Sequence, residues 1–318
     1  MTSAEIKAHA RTLGFDVCGV APAADHPELA FYREWLDRGY AGEMAYLHRT
    51  ADRRADVRRV VPSAQTVVMT GTIYNTDRPY STECADAGRA QIARYAWGDD
   101  YHDVIGARLE SLVGWMRERT REPFEARAYV DTGPIQERVY AQHAGIGWIG
   151  KNTCVINPAI GSWMFLGAII CSLPLEVDAP SLDQCGECTL CIEACPTRAI
   201  VAPGVLDSTR CISYLTIEVK GDIPAEHRAD IGAHVYGCDI CQEVCPWNAV
   251  APRSGDAAWQ PRPAWDRVDL LTLAQRSDEE LTAALRGSPM KRTKVQGLRR
   301  NIAVALDNDG RATAGRDR

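Results

Sequence analysis

Twelve cysteines stand in this chain of 318 residues, and eight of them fall between positions 185 and 245. Their spacing is ordered. Cys185-x2-Cys188-x2-Cys191-x3-Cys195-Pro196 is followed by Cys211, then by Cys238-x2-Cys241-x3-Cys245-Pro246, a second run lacking its first position. Thiolates at this spacing ligate 4Fe-4S cubanes: three cysteines wrap one cluster, and the fourth, set off by the longer gap and the proline, reaches the other. Cys185, Cys188, Cys191 and Cys245 are therefore expected to hold one cluster. Cys195, Cys238 and Cys241, with Cys211 replacing the missing ligand, are expected to hold a second. Structural zinc also favours C-x2-C pairs, but it gives no reason for interlocked runs that end in proline. A disulfide framework belongs to small secreted chains, which this is not.

An electron carrier needs little more than that segment, yet about 175 residues precede it. The composition, 46% hydrophobic and 25% charged, is that of a globular protein with a sizeable core. Thr2-Ser3-Ala4-Glu5 resembles a capping box opening a helix to about Leu13, and residues 15–20 follow as a strand. Further strands are expected at 66–74, 124–130 and 164–171, with helices at 27–38, 103–119 and 134–144. The pattern predicts an α/β or α+β domain over 1–175. A 4Fe-4S domain of the bacterial ferredoxin kind follows over 176–250, then a helical segment with a basic patch over 251–318.

The amino terminus mixes Glu5, Lys7, His9 and Arg11 with apolar residues, so neither an export signal nor a twin-arginine motif is read there. The longest apolar run, 163–171, is about half the roughly 20 residues of a membrane span. A cytoplasmic monomer without membrane contact is expected. The net charge of −6 excludes general attraction to nucleic acid. Two stretches are locally basic: 49–59 carries five Arg against two Asp, and 286–300 carries six basic residues and no acid. Each is either a solvated face or a phosphate contact.

Gly145-Ile146-Gly147-Trp148-Ile149-Gly150-Lys151-Asn152 contains a literal G-x-G-x-x-G, but Asn152 stands where a phosphate loop needs Ser or Thr, and a helix rather than a strand precedes it. These glycines instead suit close approach of the backbone to a large planar ligand or to the cysteine-rich domain. Asp131-Thr132-Gly133-Pro134 joins a strand to a helix expected to start at Pro134. It reads as a helix cap, or as an acid at a strand end whose pKa burial would raise. Tyr95 to His102 concentrates aromatic residues beside Gly98, either as an ordinary packed loop or as part of a site. Cys18, Cys84, Cys154 and Cys171 read as small hydrophobes.

These residues together resemble the bacterial epoxyqueuosine reductases. The resemblance is carried by Arg94-Tyr95-Ala96-Trp97-Gly98-Asp99-Asp100-Tyr101-His102, by Tyr129 through Arg138, by Gly147 through Asn152, by the eight clustered cysteines and by Ser288-Pro289-Met290-Lys291-Arg292. It spans nearly the whole chain. It implies a base-off cobalamin, as cob(II)alamin, between the large domain and the ferredoxin-like domain, with the nearer cluster reducing the cobalt. It also implies a tRNA carrying epoxyqueuosine as substrate, a low-potential electron donor as partner, and Asp131 as proton donor to the epoxide oxygen. Arg54, Arg94, Tyr101, His102, Ser213 and the loop Gly147 to Thr153, with Gly150, Lys151, Asn152 and Thr153, are the expected corrin contacts. Lys291, Arg292, Lys294, Arg299 and Arg300 are the expected tRNA contacts. Corrinoid reductive dehalogenases share such a ferredoxin tail and form a second reading, although they are longer and carry a twin-arginine signal. A two-cluster electron carrier with an interaction domain is a third.

Overall fold

The computed structural model describes residues 1–83 and 88–309. Cys84 lies outside the described residues. The strands, in chain order, are β1 (Val17–Pro22), β2 (Thr66–Ile73), β3 (Gln91–Ile92), β4 (Ala126–Tyr129), β5 (Trp148–Ile149), β6 (Val155–Ile156), β7 (Met164–Cys171), β8 (Ile200–Ala202), β9 (Val205–Leu206) and β10 (His234–Tyr236). Four of them form an antiparallel sheet in the order β1-β2-β7-β4. The antiparallel pairing makes this large domain α+β rather than a parallel α/β fold.

Strand β2 is buried along its whole length because helices cover both faces of the sheet. Side chains alternate: Val67 and Met69 enter one core with the helix Glu137–His143, and Val68 enters the other with the helices Ser3–Thr12 and Tyr101–Arg119. Register β2/β7 runs from Thr66 opposite Cys171 to Ile73 opposite Met164, which places Cys171 in the core as a small apolar residue. At the amino terminus the capping box forms, with Thr2 Oγ1 accepting from the Glu5 amide at 3.2 Å and the Glu5 carboxylate accepting from the Thr2 amide at 2.7 Å.

The other expected elements of this domain stand within two residues of their predicted limits, and the largest displacement is at the start of one helix. The helix expected from Pro134 begins at Glu137, and residues 131–136 form an irregular turn.

The cysteine-rich segment carries the short helices Leu190–Glu193, Ile212–Ile217 and Ile240–Glu243, and the hairpin β8/β9. It is bound into the rest of the chain. Strand β10 pairs in parallel with β3, and Val235 and Tyr236 share a core with Ala90, Ile92 and the helices Leu270–Gln275, Asp278–Leu285 and Lys294–Asp309. Among the described residues no helix is long and apolar enough to cross a membrane.

Candidate functional site

The eight clustered cysteines come together as two groups of four. Cys185, Cys188, Cys191 and Cys245 line one surface pocket together with Lys151, Asn152 and Trp247. Burial, then the neighbouring thiols of Cys245, Cys185 and Cys188, push the Cys191 thiol up to about 11. In the other group, burial and the nearby Cys211 and Cys195 hold Cys238 well above the ordinary thiol value. Cys241 is raised by a hydrogen bond with Cys154, by burial, and by Cys238 and Cys211. Four thiols this crowded resist joint ionisation unless a multiply charged cation replaces their protons, which is the chemistry of an iron–sulfur cubane. The donor sets therefore fit the expected clusters.

The glycine-rich segment is the antiparallel hairpin β5/β6, not a strand-to-helix phosphate loop. Gly147 is required by close approach: a Cβ there would lie 2.3 Å from the Ile156 carbonyl oxygen. The hairpin tip reaches over both cysteine runs. Lys151 Nζ donates to the carbonyls of Gly186 (2.6 Å) and Cys188 (2.9 Å), Asn152 Nδ2 donates to the Cys241 carbonyl (3.0 Å), and Trp148 Nε1 donates to Cys185 Sγ (3.4 Å). Lys151 and Asn152, expected at the corrin, thus stand on the iron–sulfur side. Thr153, at φ 66°, accepts from Arg138 Nη1 at 3.3 Å, and Gly150 turns the hairpin beside it.

The second constellation surrounds Asp131. This residue sits in the left-handed region at φ 58°, a conformation that short polar side chains tolerate and that concentrates at functional sites. It caps no helix. Its carboxylate accepts from Tyr101 Oη at 3.1 Å and pairs with His102 Nε2 at 3.4 Å, while its amide donates to Glu137 Oε1 at 2.8 Å. His102 Nδ1 meets Asp100 Oδ1 at 2.7 Å, and the second oxygen of Asp100, whose side chain is 1% exposed, pairs with Lys291 Nζ at 2.7 Å. Tyr101 is held by stacking on Phe165 of β7, centroids 4.6 Å apart.

Burial lowers the His102 pKa, but hydrogen bonds and charge from Asp100 and Asp131 outweigh it and carry the imidazole up to about 9. Burial raises Asp131, yet the bonds from His102 and Tyr101 and the His102 charge bring it below the usual carboxylate range. Burial and the Asp131 charge push Glu137 strongly upward. The cluster thus favours a charged His102 beside an ionised Asp131, with Glu137 shifted towards its neutral form. The expectation that burial would raise Asp131 is thereby corrected: the neighbouring imidazolium wins. The Asp131 side chain remains 63% exposed, so its carboxylate faces solvent beside the His102 and Tyr101 side chains.

Other expected residues have different places. Arg94, expected at the corrin, is 2% exposed; it donates to Thr76, Arg78 and Pro79 and lies over Tyr80, Trp97 and Trp163, so it staples a loop. Arg54 is also buried and holds the Ile135 carbonyl (2.9 Å) behind the Asp131 turn. Ser213 hydrogen-bonds the Cys211 sulfur. Arg299 is committed to Asp278 and the carbonyls of Ala274 and Arg276, and Arg300 to those of Val219, Gly221 and Leu215. Neither offers a free guanidinium edge to a phosphate. Lys291, Arg292 and Lys294 stay exposed or half-exposed.

Sequence reasoning gave no role to Glu137, Arg138 and Tyr46. Arg138 lies within electrostatic reach of Asp131 and of Cys154, which touches Cys241; Tyr46 sits beneath the Arg292 guanidinium, 5.4 Å from its ring centroid. A glutamate six residues after the aspartate was the available signal for the first.

A family model described as 4Fe-4S double cluster binding domain matches residues 184–248, and one described as Epoxyqueuosine reductase QueG, DUF1730, matches residues 54–132. The chain is 42% identical to an epoxyqueuosine reductase of Gloeobacter violaceus over 98% of both chains. It is similar (TM-score 0.85, 31% identity, covering 98% of this chain and 82% of the other) to an epoxyqueuosine reductase crystallised with a tRNA-Tyr epoxyqueuosine-modified stem loop. A Bacillus subtilis epoxyqueuosine reductase solved with an aspartate catalytic loop swung out of its active site matches equally well (TM-score 0.85, 30% identity, 98% and 82% coverage).

Proposed function

This chain belongs to the epoxyqueuosine reductase family, and on that premise we propose that it reduces epoxyqueuosine to queuosine at the wobble position of tRNA. The observation that carries the reading is a juxtaposition: Arg138, bonded to Thr153, lies within electrostatic reach of both Asp131 and Cys154, which touches Cys241. Reducing an epoxide to an alkene takes two electrons and two protons and releases water, so electron and proton sources must meet at one cleft. A two-cluster electron carrier has no use for the acid cluster, and the near-full-length relatives favour an epoxide over an organohalide substrate.

Residues 1–175 supply the cleft, 176–250 the electron path and 251–318 the basic face. Cobalamin is the group the resemblance implies for the cleft, and the residues fit it. The Asp131 carboxylate is exposed, and both His102 ring nitrogens face carboxylates, Asp100 and Asp131, so the imidazole would not compete for a bound cobalt. Tyr101, His102, Thr153 and Ser213 would hold it, joined by Arg138. Bound there, it would supply a low-valent cobalt centre able to drive electrons into the epoxide carbon. Asp131 Oδ2 passes the proton stored on His102 Nε2 to the leaving oxygen, and Glu137 orients Asp131 through its amide. Lys291, Arg292 and Lys294 meet the tRNA backbone, and Cys188, the exposed member of the first group, marks the face for a low-potential electron donor.

The test is anaerobic reconstitution with iron, sulfide and cobalamin, followed by a chemical reductant, epoxyqueuosine tRNA and nucleoside mass analysis. The expected product has lost one oxygen. Unchanged epoxyqueuosine with both clusters and cobalamin loaded overturns the reading.

A further inference from the structure

Lys151 and Trp148 act on the first cysteine group from outside it. Most sulfur contacts in the second group come from its own segment: the Ala199 amide donates to Cys195 at 3.2 Å, and Ser213, Tyr214 and Ile240 serve Cys211 and Cys238. Cys185 is different. Its sulfur receives the indole N–H of Trp148, a fully buried residue of β5 that is seated edge-to-face against Trp247, with centroids 5.0 Å apart. Three residues further on, the Lys151 ammonium is fixed by the Gly186 and Cys188 carbonyls of the same run. Both lie in the wall around the four sulfurs.

Hydrogen bonds to cluster sulfurs and nearby positive charge stabilise the more negative, reduced form of a cluster and raise its potential. We propose that the β5/β6 hairpin sets the reduction potential of the first cluster, with Trp148 and Lys151 as tuning residues. This rests on the two-cluster reading above. The step concerned is a one-electron reduction from [4Fe-4S]2+ to [4Fe-4S]+ without proton transfer, with the electron supplied by a low-potential chemical titrant.

The experiment is an EPR-monitored redox titration of the full-length reconstituted protein without tRNA or cobalamin. Trp148→Phe keeps the ring and removes the N–H; Lys151→Gln keeps the reach and removes the charge; Lys151→Arg restores it. One of the two midpoints should fall in both Trp148→Phe and Lys151→Gln, by a roughly threefold change in reduction equilibrium, ~28 mV at 59 mV per decade for one electron. It should recover in Lys151→Arg, and Ser213→Ala should move the other midpoint instead. Lys151→Gln lies at the hairpin tip and keeps the test open if the buried Trp148→Phe fails to fold. Two loaded clusters with both midpoints unmoved in Lys151→Gln overturn the proposal. Wild-type protein that takes up fewer than two clusters overturns the underlying reading, and the proposal with it.

Discussion

The two cysteine groups share a ligand type and a motif, yet they occupy unlike surroundings. The first has an exposed member, Cys188, opens through a cavity, and borrows Trp148 and Lys151 from the large domain. In the second, Cys241 touches Cys154, and the buried Asp239 between its ligands accepts from the Arg94 amide. On the proposed reading, electrons would enter at the group with the exposed Cys188 and leave through the group whose Cys241 touches Cys154. One motif serves both ends because its surroundings, not its ligands, set each role.

Removing one ligand from each group should have the largest effect. Cys241→Ala should abolish turnover under every reductant, with iron falling from about eight towards four per chain. Cys188→Ala should also lose iron, yet it should keep measurable single-turnover activity with a small chemical reductant that bypasses the entrance. Equal loss in both variants under that reductant would erase the distinction between entrance and exit.

Next in size is the acid end. Asp131→Asn retains a short polar side chain suited to its left-handed backbone but cannot relay a proton, so single-turnover reduction should fall about 10²- to 10⁴-fold with both clusters intact. Activity within a few-fold of wild type would remove Asp131 from the mechanism.

His102 makes a smaller, pH-dependent forecast. Its folded pKa of about 9 exceeds the ordinary value of 6.5, so its contribution to stability is complete below pH 6.5 and is lost as pH rises through about 9. In chemical denaturation of wild-type protein, stability should decline over that window, and His102→Gln should flatten the decline by an amount of order 1 kcal/mol. Parallel pH curves for the two proteins would contradict the clamped imidazolium.

The smallest effect is expected at the basic face. Lys294→Gln or Arg292→Gln should reduce the salt slope of tRNA binding by about 0.7 to 0.9 per lost phosphate contact. Arg300→Gln should instead lower thermal stability, because its guanidinium clasps three carbonyls of the cysteine-rich segment.

The cysteine spacing was legible because it is written in local sequence, and β7 was legible as a continuous apolar run buried on both faces. The acid cluster was only half legible. Asp131 and His102 could be named, but Lys291 approaches from 160 positions beyond Asp131, and the imidazolium that reverses the burial effect on Asp131 depends on that folding together. Arginine was the least readable residue. Nothing local distinguishes Arg94 or Arg300, which face carbonyls, from Arg292, which keeps an exposed side. The late helix start has a local cause that patterning does not register: Gly133 lies against the Tyr129 ring, and the left-handed Asp131 diverts the chain before Glu137.

Strand β10 beside β3, and Asn301 donating to the Val235 and Thr216 carbonyls, tie the cysteine-rich segment to chain on either side of it. A segment interleaved in this way is a poor unit of exchange. Cut out and fused to another protein, it would expose the backbone edge of β10 and the apolar faces of Val235 and Tyr236. Its likeness to free-standing ferredoxins therefore lies in the ligand pattern, not in interchangeable parts, and transplanting the segment requires carrying the 88–97 loop and the final helix with it.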